Sequence, residues 1–432
     1  MIFFWTLWLL WYLVTTRERG IVETFSYWIS STSSDSVYKK FSRFVFTDHT
    51  HKGLVDSGME FPEEVLAHIF SYLSVTERDS ASAVCKRWSQ SMSHPRVWRY
   101  TEIRCETGEQ EDPALQHFSS LLPLVRHLKI TVSSLSDPAN RSAALSVLRL
   151  ATSGPLQTLS LSCSGGVPLF YSGHDLEEGL EAALTTAPEH VGGAFLSHLD
   201  LRGVPFTLSQ SLVRVLARQS PNLRSLLVNN QTLVCKVEPE AVVEVLGLCP
   251  LLNTLGLFYT SLSQKVVDEL LLPQRCPLLA MELYCERFAK YIPPLEDNVW
   301  AGLKHRHPGL KVSLILDHTL PMDHFSSVLQ PSVPLQHLEL LTFTDLVQQT
   351  HLVTQSYSHA LETIILQTTS SPELDSALRS LAAACSRLRE VHCYCVVSCD
   401  VVRAFKDCCP HLWRYTLKTR KEPHPWKCTV IK

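Results

Sequence analysis

One-sided charge, a dense cysteine framework and catalytic signatures are all missing from this chain. Its 39 Lys+Arg residues nearly balance 42 Asp+Glu, leaving a formal net charge of −3. That balance excludes the basic footprint of a nucleic-acid binder and the polybasic face of a membrane-surface protein. The 14 cysteines among 432 residues come to about 3 %, under the density of secreted disulfide scaffolds. They read as mostly reduced thiols of an intracellular protein. There is no G-x-S-x-G, no phosphate-cradling glycine loop, no H-E-x-x-H and no C-x-x-C pair. No catalytic residue, cofactor or small-molecule substrate is therefore expected.

Long hydrophobic runs are scarce too. Residues 1–14, MIFFWTLWLLWYLV, form the one conspicuous apolar run, shorter than the ~20 residues a membrane-spanning helix needs. It has no basic flank before it and no small-residue cleavage site after it, so it is not a signal peptide. Residues 20–58 are Ser/Thr/Asp-rich without a sustained period. Methionine is rare, and the first after Met1 is Met59. Residues 1–58 are therefore expected to be a disordered or non-native extension; the competing reading makes residues 1–14 a membrane anchor.

The stretch from Phe61 to Tyr100 has the strongest local pattern. Pro62 suits the first helical position, with Glu63 and Glu64 in the first turn at the positive helix end. Leu66, Ile69, Phe70 and Leu73 follow at i, i+3, i+4, i+7, one apolar face. Ser74 and Glu77 have capping-box spacing. The second helix they start is expected to carry Ala81, Val84, Cys85 and Trp88 at helical spacing, ending at His94-Pro95 before a third short piece at Val97-Trp98.

On these residues the segment resembles the F-box, whose pattern runs Leu-Pro, Glu, Ile-Phe-x-x-Leu, Val-Cys-(Arg/Lys)-x-Trp and a final Trp. Here those stand as Phe61-Pro62, Glu63 or Glu64, Ile69-Phe70 with Leu73, Val84-Cys85-Lys86 with Trp88, and Trp98. Phe61 in place of Leu is the one departure, and it keeps an apolar group. The resemblance implies a non-catalytic docking module. Its adaptor-binding residues would be Phe61, Pro62, Leu66, Ile69, Phe70, Leu73, Val84, Cys85 and Trp88, and its partner the Skp-type adaptor that hangs from a cullin scaffold.

Beyond Tyr100 the chain becomes repetitive. A helix-like run ends at a Cys-Pro, Ser-Pro or similar stop, and L-x-x-L-x-L follows as a short strand. Clear copies are Leu223-Leu226-Val228, Leu252-Leu255-Leu257 and Leu412-Tyr415-Leu417; looser ones include Leu196-Leu199-Leu201, Leu278-Met281-Leu283, Leu335-Leu338-Leu340, Leu361-Ile364-Leu366 and Leu388-Val391-Cys393. The steps from Leu196 to Leu223, Leu252 and Leu278 are 27, 29 and 26 residues; those from Leu335 to Leu361, Leu388 and Leu412 are 26, 27 and 24. That period is the leucine-rich repeat's, ~20–29 residues. One unit cannot bury its apolar face alone, so stacked units share a continuous core. The expected helices include Gln210 to Ala217, Pro239 to Leu248 and Pro372 to Ala384.

Cys249, Cys276, Cys385 and Cys409 all precede a strand, where a small buried thiol fills the layer. His392-Cys393-Tyr394-Cys395 with Cys399 lacks a zinc spacing, so no metal is expected. His305-Arg306-His307 before Pro308-Gly309 reads as a solvated turn.

The fold class expected is α/β: a three-helix F-box over residues 59–105, then a repeat solenoid over 106–420 with parallel strands on the concave face and helices outside, and a tail over 421–432 that caps the last repeat or, in the alternative, crosses the concave face. The combination is similar to the F-box/leucine-rich-repeat family, and VCKRW, NNQTLV, RHPGLKV, REVHCYCVVS and the terminal YTLK…EPHPW are similar to stretches of one member. The resemblance implies a substrate receptor of an SCF ubiquitin ligase, cytoplasmic or nuclear, reaching cullin and RING subunit through the adaptor and marking target proteins for proteasomal degradation. By strand alternation, residues flanking the inner leucines face the concavity; Asn229, Phe258, Tyr284, His392, Tyr394 and Arg414 are the candidate substrate-binding residues. The alternatives are a repeat scaffold outside any ligase and a receptor tethered by residues 1–14.

Overall fold

A computed structural model describes residues 62–106, 116–165, 171–185, 196–230 and 232–420. The expectations for residues 1–58, for Phe61 and for the tail fall outside these. The chain divides into two compact units, one of Met1–Leu159 with Ser164–Gly166 and Ala187–Val191, the other holding the remainder.

Among the described residues, the first unit begins with four short helices, α1 (Glu63–Phe70), α2 (Val75–Ser82), α3 (Lys86–Ser91) and α4 (Pro95–Trp98). Pro62 sits one position earlier than expected, as N-cap (φ −52°, ψ 149°), and its carbonyl accepts from Val65 and Leu66. The capping box is present: Ser74 Oγ accepts from the Glu77 N–H at 3.3 Å while Glu77 Oε2 accepts from the Ser74 N–H at 2.8 Å.

The single helix expected from Ser74 through Trp88 is instead two. It stops at Ser82, and Cys85 is extended (φ −159°, ψ 162°), serving as N-cap of α3. The cause is local. Ser80 and Ser82 turn their hydroxyls onto the carbonyls of Thr76 and Asp79, the competition by which serine weakens a helix interior, and β-branched Val84 follows. Val84 and Cys85 therefore stand on a link between helices, and the third helical piece of the sequence reading becomes a fourth.

Leu66, Ala67, Phe70, Leu73, Val75, Ala81, Met92, Val97 and Trp98 are all buried. The Trp98 indole N–H donates to the Met92 carbonyl at 2.7 Å. After α4, β1 (Tyr100–Cys105) pairs in parallel with β2 (His127–Val132), from Tyr100↔His127 to Cys105↔Val132. Helix α5 (Pro138–Thr152) follows, then β3 (Thr158–Cys163), of which Ser160–Cys163 belong to the second unit.

The second unit repeats one helix–strand step. Its strands are β4 (His198–Gly203), β5 (Ser225–Leu227), β6 (Thr254–Phe258), β7 (Ala280–Cys285), β8 (Lys311–Asp317), β9 (Leu335–Thr344), β10 (Thr363–Thr368), β11 (Glu390–Val396) and β12 (Arg414–Lys418). Each is parallel to the next. Among the helices between them are α6 (Gln210–Gln219), α7 (Pro239–Leu248), α8 (Gln264–Leu271), α9 (Asp297–Arg306), α10 (Pro372–Ala384) and α11 (Cys399–Cys408). This is the parallel, α/β repeat architecture expected, with the motif leucines of β5 to β11 in the core.

The repeat cysteines do more than fill space. Cys249, Cys385 and Cys409 are each the C-cap of a helix. Cys249 Sγ donates to the Ser220 and Ala217 carbonyls at 3.4 and 3.6 Å, and Cys409 Sγ reaches the Ala382 and Cys385 carbonyls at 3.6 Å. The Cys249 and Cys409 thiols thus add a donor at the end of the preceding repeat's helix, where the Ala217, Ser220 and Cys385 carbonyls each accept one backbone N–H as well. Burial pushes all three thiols up, to about 11 for Cys249 and Cys409 and about 12 for Cys385, so Cys249 and Cys409 keep the proton they donate.

Two repeats use another donor. Helix α8 ends early at Leu271, leaving Cys276 only half-buried off the helix end, and the buried Arg275 donates to the carbonyls of Leu246 and Cys249. In the next repeat His307 takes the C-cap position. It is buried, not the solvated turn read from the sequence: Nδ1 accepts from the Leu278 N–H at 3.1 Å and Nε2 donates to the Leu270 carbonyl at 3.1 Å.

Candidate functional site

Two surfaces carry the candidate residues. On the first unit, Leu66, Phe70 and Leu73 belong to the helical core. Pro62 and Cys85 are exposed; Ile69, Val84 and Trp88 are half-buried. Trp88 packs edge-on against Phe70, with ring centroids 5.1 Å apart. The nine residues expected to bind a partner therefore separate, apart from Phe61, into three that build the module and five that remain accessible on it.

The break between α2 and α3 adds what the sequence reading missed. Ser82, Ala83, Cys85, Lys86, Ser89 and Gln90 line a shallow open groove there. A signal for it was present in the serines of VTERDSAS, which make a long uninterrupted helix costly.

On the second unit the substrate-face residues also divide. Phe258 and Tyr284 are buried, not open to a ligand. Their rings meet edge to face at 5.4 Å and 86°, with buried Ile315 beside them and Cys235 and Leu341 at the margin. Where β6, β7 and β8 carry apolar residues at alternate positions as well as at the leucines, the outer face forms a small core of its own. Burial and the neighbouring Asp317 carboxylate push the Tyr284 phenol up.

Asn229 is buried in a polar bridge. Its Nδ2 donates to Glu282 Oε1 at 2.6 Å, and Glu282 Oε2 accepts from Arg202 Nη1 at 2.9 Å. Arg202 also grips Asp200 with two donors, at 2.8 and 3.0 Å, and these carboxylates hold its guanidinium well above the usual range. The bridge runs from β4 to β7 across Gly256 of β6. A Cβ at Gly256 would lie 2.3 Å from Asn229 Oδ1.

His392 is buried too, with Nδ1 2.9 Å from Thr416 Oγ1. Tyr394 and Arg414 are the two candidates that stay exposed; Arg414 lies 3.9 Å from Glu390. The sequence reading missed Phe343, which is 64 % exposed and has φ +57°. It stands where the ladder from β9 to β10 slips between Gln367 and Thr368. Strain of this sort concentrates at functional surfaces. Its sequence context, LLTFTD, already departs from the L-x-x-L-x-L rhythm.

Among the described residues no group of three His, Cys, Asp or Glu side chains is placed to hold a metal ion, and no helix is long and apolar enough to cross a membrane.

The F-box-like family matches residues 60–104. The chain is 40 % identical over 381 residues to F-box/LRR-repeat protein 8 of Homo sapiens, covering 88 % of this chain and 100 % of that protein. It is 38 % identical over 382 residues to F-box/LRR-repeat protein 8 of Mus musculus, covering 88 % and 99 %. F-box/LRR-repeat protein 21 of Bos taurus is 25 % identical over 306 residues, covering 67 % and 66 %.

Proposed function

Because the chain belongs to the F-box/leucine-rich-repeat family, whose members generally serve as substrate receptors of SCF ubiquitin ligases, we propose that it recruits target proteins to such a ligase for ubiquitination and degradation. The observation that carries this reading is the division of labour within the F-box residues. Leu66, Phe70 and Leu73 complete the fold, while Pro62, Ile69, Val84, Cys85 and Trp88 remain accessible. Apolar side chains left accessible after core formation are what a docking partner can cover. The Skp-type adaptor would take them, and cullin and RING subunit would follow through it.

No bond is made or broken by this chain in that role. It acts through proximity: a target held on the repeats meets the ubiquitin-charged conjugating enzyme at raised effective concentration. The exposed part of the repeat face, with Phe343, Tyr394 and Arg414, is the surface we assign to the target.

The test is co-expression of the full chain with a Skp-type adaptor, followed by size-exclusion chromatography, beside an Ile69→Asp/Val84→Asp double variant. Co-elution of the parent and loss of the adaptor from the folded variant is the expected result. A folded parent that elutes alone would sink the ligase reading and leave a repeat scaffold that works without an adaptor.

A further inference from the structure

Cys393 and Cys395 lie two residues apart on β11 with their sulfurs 3.4 Å from each other. In a regular strand, residues at i and i+2 share a face about 6.6 Å apart, so short side chains stand side by side without touching. Here the ladder to β12 slips. Cys393 is opposite Leu417, and the next pair is Val396 with Lys418. Tyr394 and Cys395 are the surplus of a bulge, which gives the second sulfur room to close on the first.

The two thiols are not equivalent. Cys393 is fully buried and Cys395 half-buried at its edge. The Cys393 thiol held against Cys395 lowers the latter from its ordinary value, while that hydrogen bond and burial raise Cys393. Asp375 of α10, whose Oδ2 accepts from the Ser398 N–H at 3.1 Å, faces the pair and opposes thiolate formation at both. One accessible sulfur that ionises first, with a buried thiol in contact, is an attacking and resolving arrangement.

We propose that Cys393 and Cys395 form a peroxide-responsive dithiol that closes to an intrachain disulfide and resets the bulge carrying Tyr394. In the first step the Cys395 thiolate attacks one oxygen of hydrogen peroxide; the O–O bond breaks, hydroxide leaves, and Cys395 becomes a sulfenic acid. In the second, the Cys393 sulfur displaces that hydroxyl, and its proton leaves with it as water. Two thiols are oxidised and one peroxide is reduced to two waters in all. The sulfurs must approach by about 1.4 Å to reach a bond length near 2.05 Å, and the spacing of alternate strand residues falls within the span disulfides tolerate. Tyr394 sits between the two cysteines, 51 % exposed, its ring near-parallel to His392 at 6.4 Å. Closing the pair must therefore move a side chain on the exposed strand face.

The experiment treats the folded full chain with graded hydrogen peroxide, quenches, denatures, alkylates with N-ethylmaleimide and digests with trypsin. Cleavage after Arg389 and Arg403 yields one peptide that holds Cys393, Cys395 and Cys399. The expected result is loss of two hydrogens from that peptide with a single alkyl group on Cys399, at peroxide doses that leave exposed Cys399 and Cys408 reduced. In Cys393→Ser, the sulfenic acid at Cys395 should persist and be captured by a cyclic 1,3-diketone. In Cys395→Ser, Cys393 should stay reduced and be alkylated after denaturation. The proposal is overturned if Cys399 and Cys408 oxidise first, if the bond found is Cys395–Cys399, or if Cys395→Ser still loses two hydrogens.

Discussion

The guanidinium carbon of Arg78 lies 4.8 Å over the ring of Trp98, and through it α2 is fastened to both α1 and β1. Nε donates to the Phe70 carbonyl at 3.3 Å and Nη2 to the Ser71 carbonyl at 3.4 Å, at the negative end of α1. Nη2 also reaches the Tyr100 carbonyl at 3.1 Å, and Nη1 the Thr101 hydroxyl at 3.2 Å. Arg78 is 2 % exposed. Burial pulls its guanidinium down to about 10, so it is still charged at neutral pH.

Replacing Arg78 by Met would take a charged donor from all four acceptors, though the Phe70 carbonyl would still accept from the Leu73 N–H and the Thr101 hydroxyl would still donate to Trp98. We expect a loss of about 3 kcal/mol in the first unit, and nearly as much for Arg78→Lys, whose point charge cannot span the same acceptors. Hydrogen exchange of the full chain checks it: amides of α1 and β1 should exchange ~100-fold faster, while those of β8 to β10 are unchanged. Equal protection in Arg78→Lys and parent would show that the fork geometry is irrelevant.

The capping box makes a smaller prediction. Ser74→Ala removes the oxygen that accepts from Glu77 N–H and should cost about 1 kcal/mol, read as faster exchange confined to α2. Ser74→Asp keeps an acceptor at that position and should recover most of it. A Ser74→Ala chain with parent-like protection in α2 would mean the cap contributes nothing.

These helix signals were legible because they are local: Pro62, Glu63, Glu64, Ser74 and Glu77 act on backbone groups within one turn. So was the repeat, since Leu223, Leu226, Leu252 and Leu255 recur at a fixed period. The break of the second helix at Ser82 was local too, set by Ser80 and Ser82; the other failures involve a second face. Strand alternation says that Phe258 and Tyr284 point away from the leucines, but whether neighbouring strands supply Ile315 to bury them depends on register across three repeats. His307 looked like part of a polar turn because its partners, Leu270 and Leu278, belong to the preceding repeat's helix end and the segment that leads into β7. Leu66, Phe70 and Leu73 matched a docking motif and a helix core equally well, and only packing against Trp88, Trp98 and their neighbours separates the two roles.

Gly256 tests the bridge on the strand face. Its missing side chain is what lets Asn229 and Glu282 meet across β6, and Leu227 Cδ2 would lie 2.8 Å from an added Cβ. Gly256→Val should destabilise the second unit by about 1–3 kcal/mol through overpacking and a displaced Asn229. Urea denaturation of the full chain measures it, and Asn229→Ala in the Gly256→Val background should cost less than Asn229→Ala alone. Additive losses would show that the two positions do not share a contact.

Phe343 holds a left-handed backbone, φ +57°, that an L residue adopts at a cost of roughly 1 kcal/mol. Phe343→Gly should therefore raise or preserve stability against urea, whereas Phe343→Val should lower it. If the glycine variant were less stable by more than about 1 kcal/mol, the ring would be contributing to the fold rather than being held out from it.

The last prediction concerns acid. His307 accepts from the Leu278 N–H, which only a neutral ring can do, and burial together with Arg306 and Arg275 holds its protonation below the usual histidine range, outweighing the Leu270 carbonyl. In the unfolded chain it titrates near 6.5. Above about pH 6.5 both states are neutral and His307 adds no pH dependence. As pH falls below 6.5 the unfolded chain binds a proton that the folded chain refuses, so stability drops until the folded value is reached, with a slope of at most about 1.4 kcal/mol per pH unit. His307→Cys places at this helix end the thiol that Cys249 and Cys409 use elsewhere. At pH 7.5 it should be less stable than the parent by about 1 kcal/mol, since Leu278 N–H loses its acceptor. At pH 5.5 the gap should narrow or reverse, because the variant has no proton to exclude. Urea midpoints of the two full chains at both pH values decide it. A gap that stays constant would mean that His307 titrates alike in both states, and that its buried hydrogen bonds do not hold it neutral.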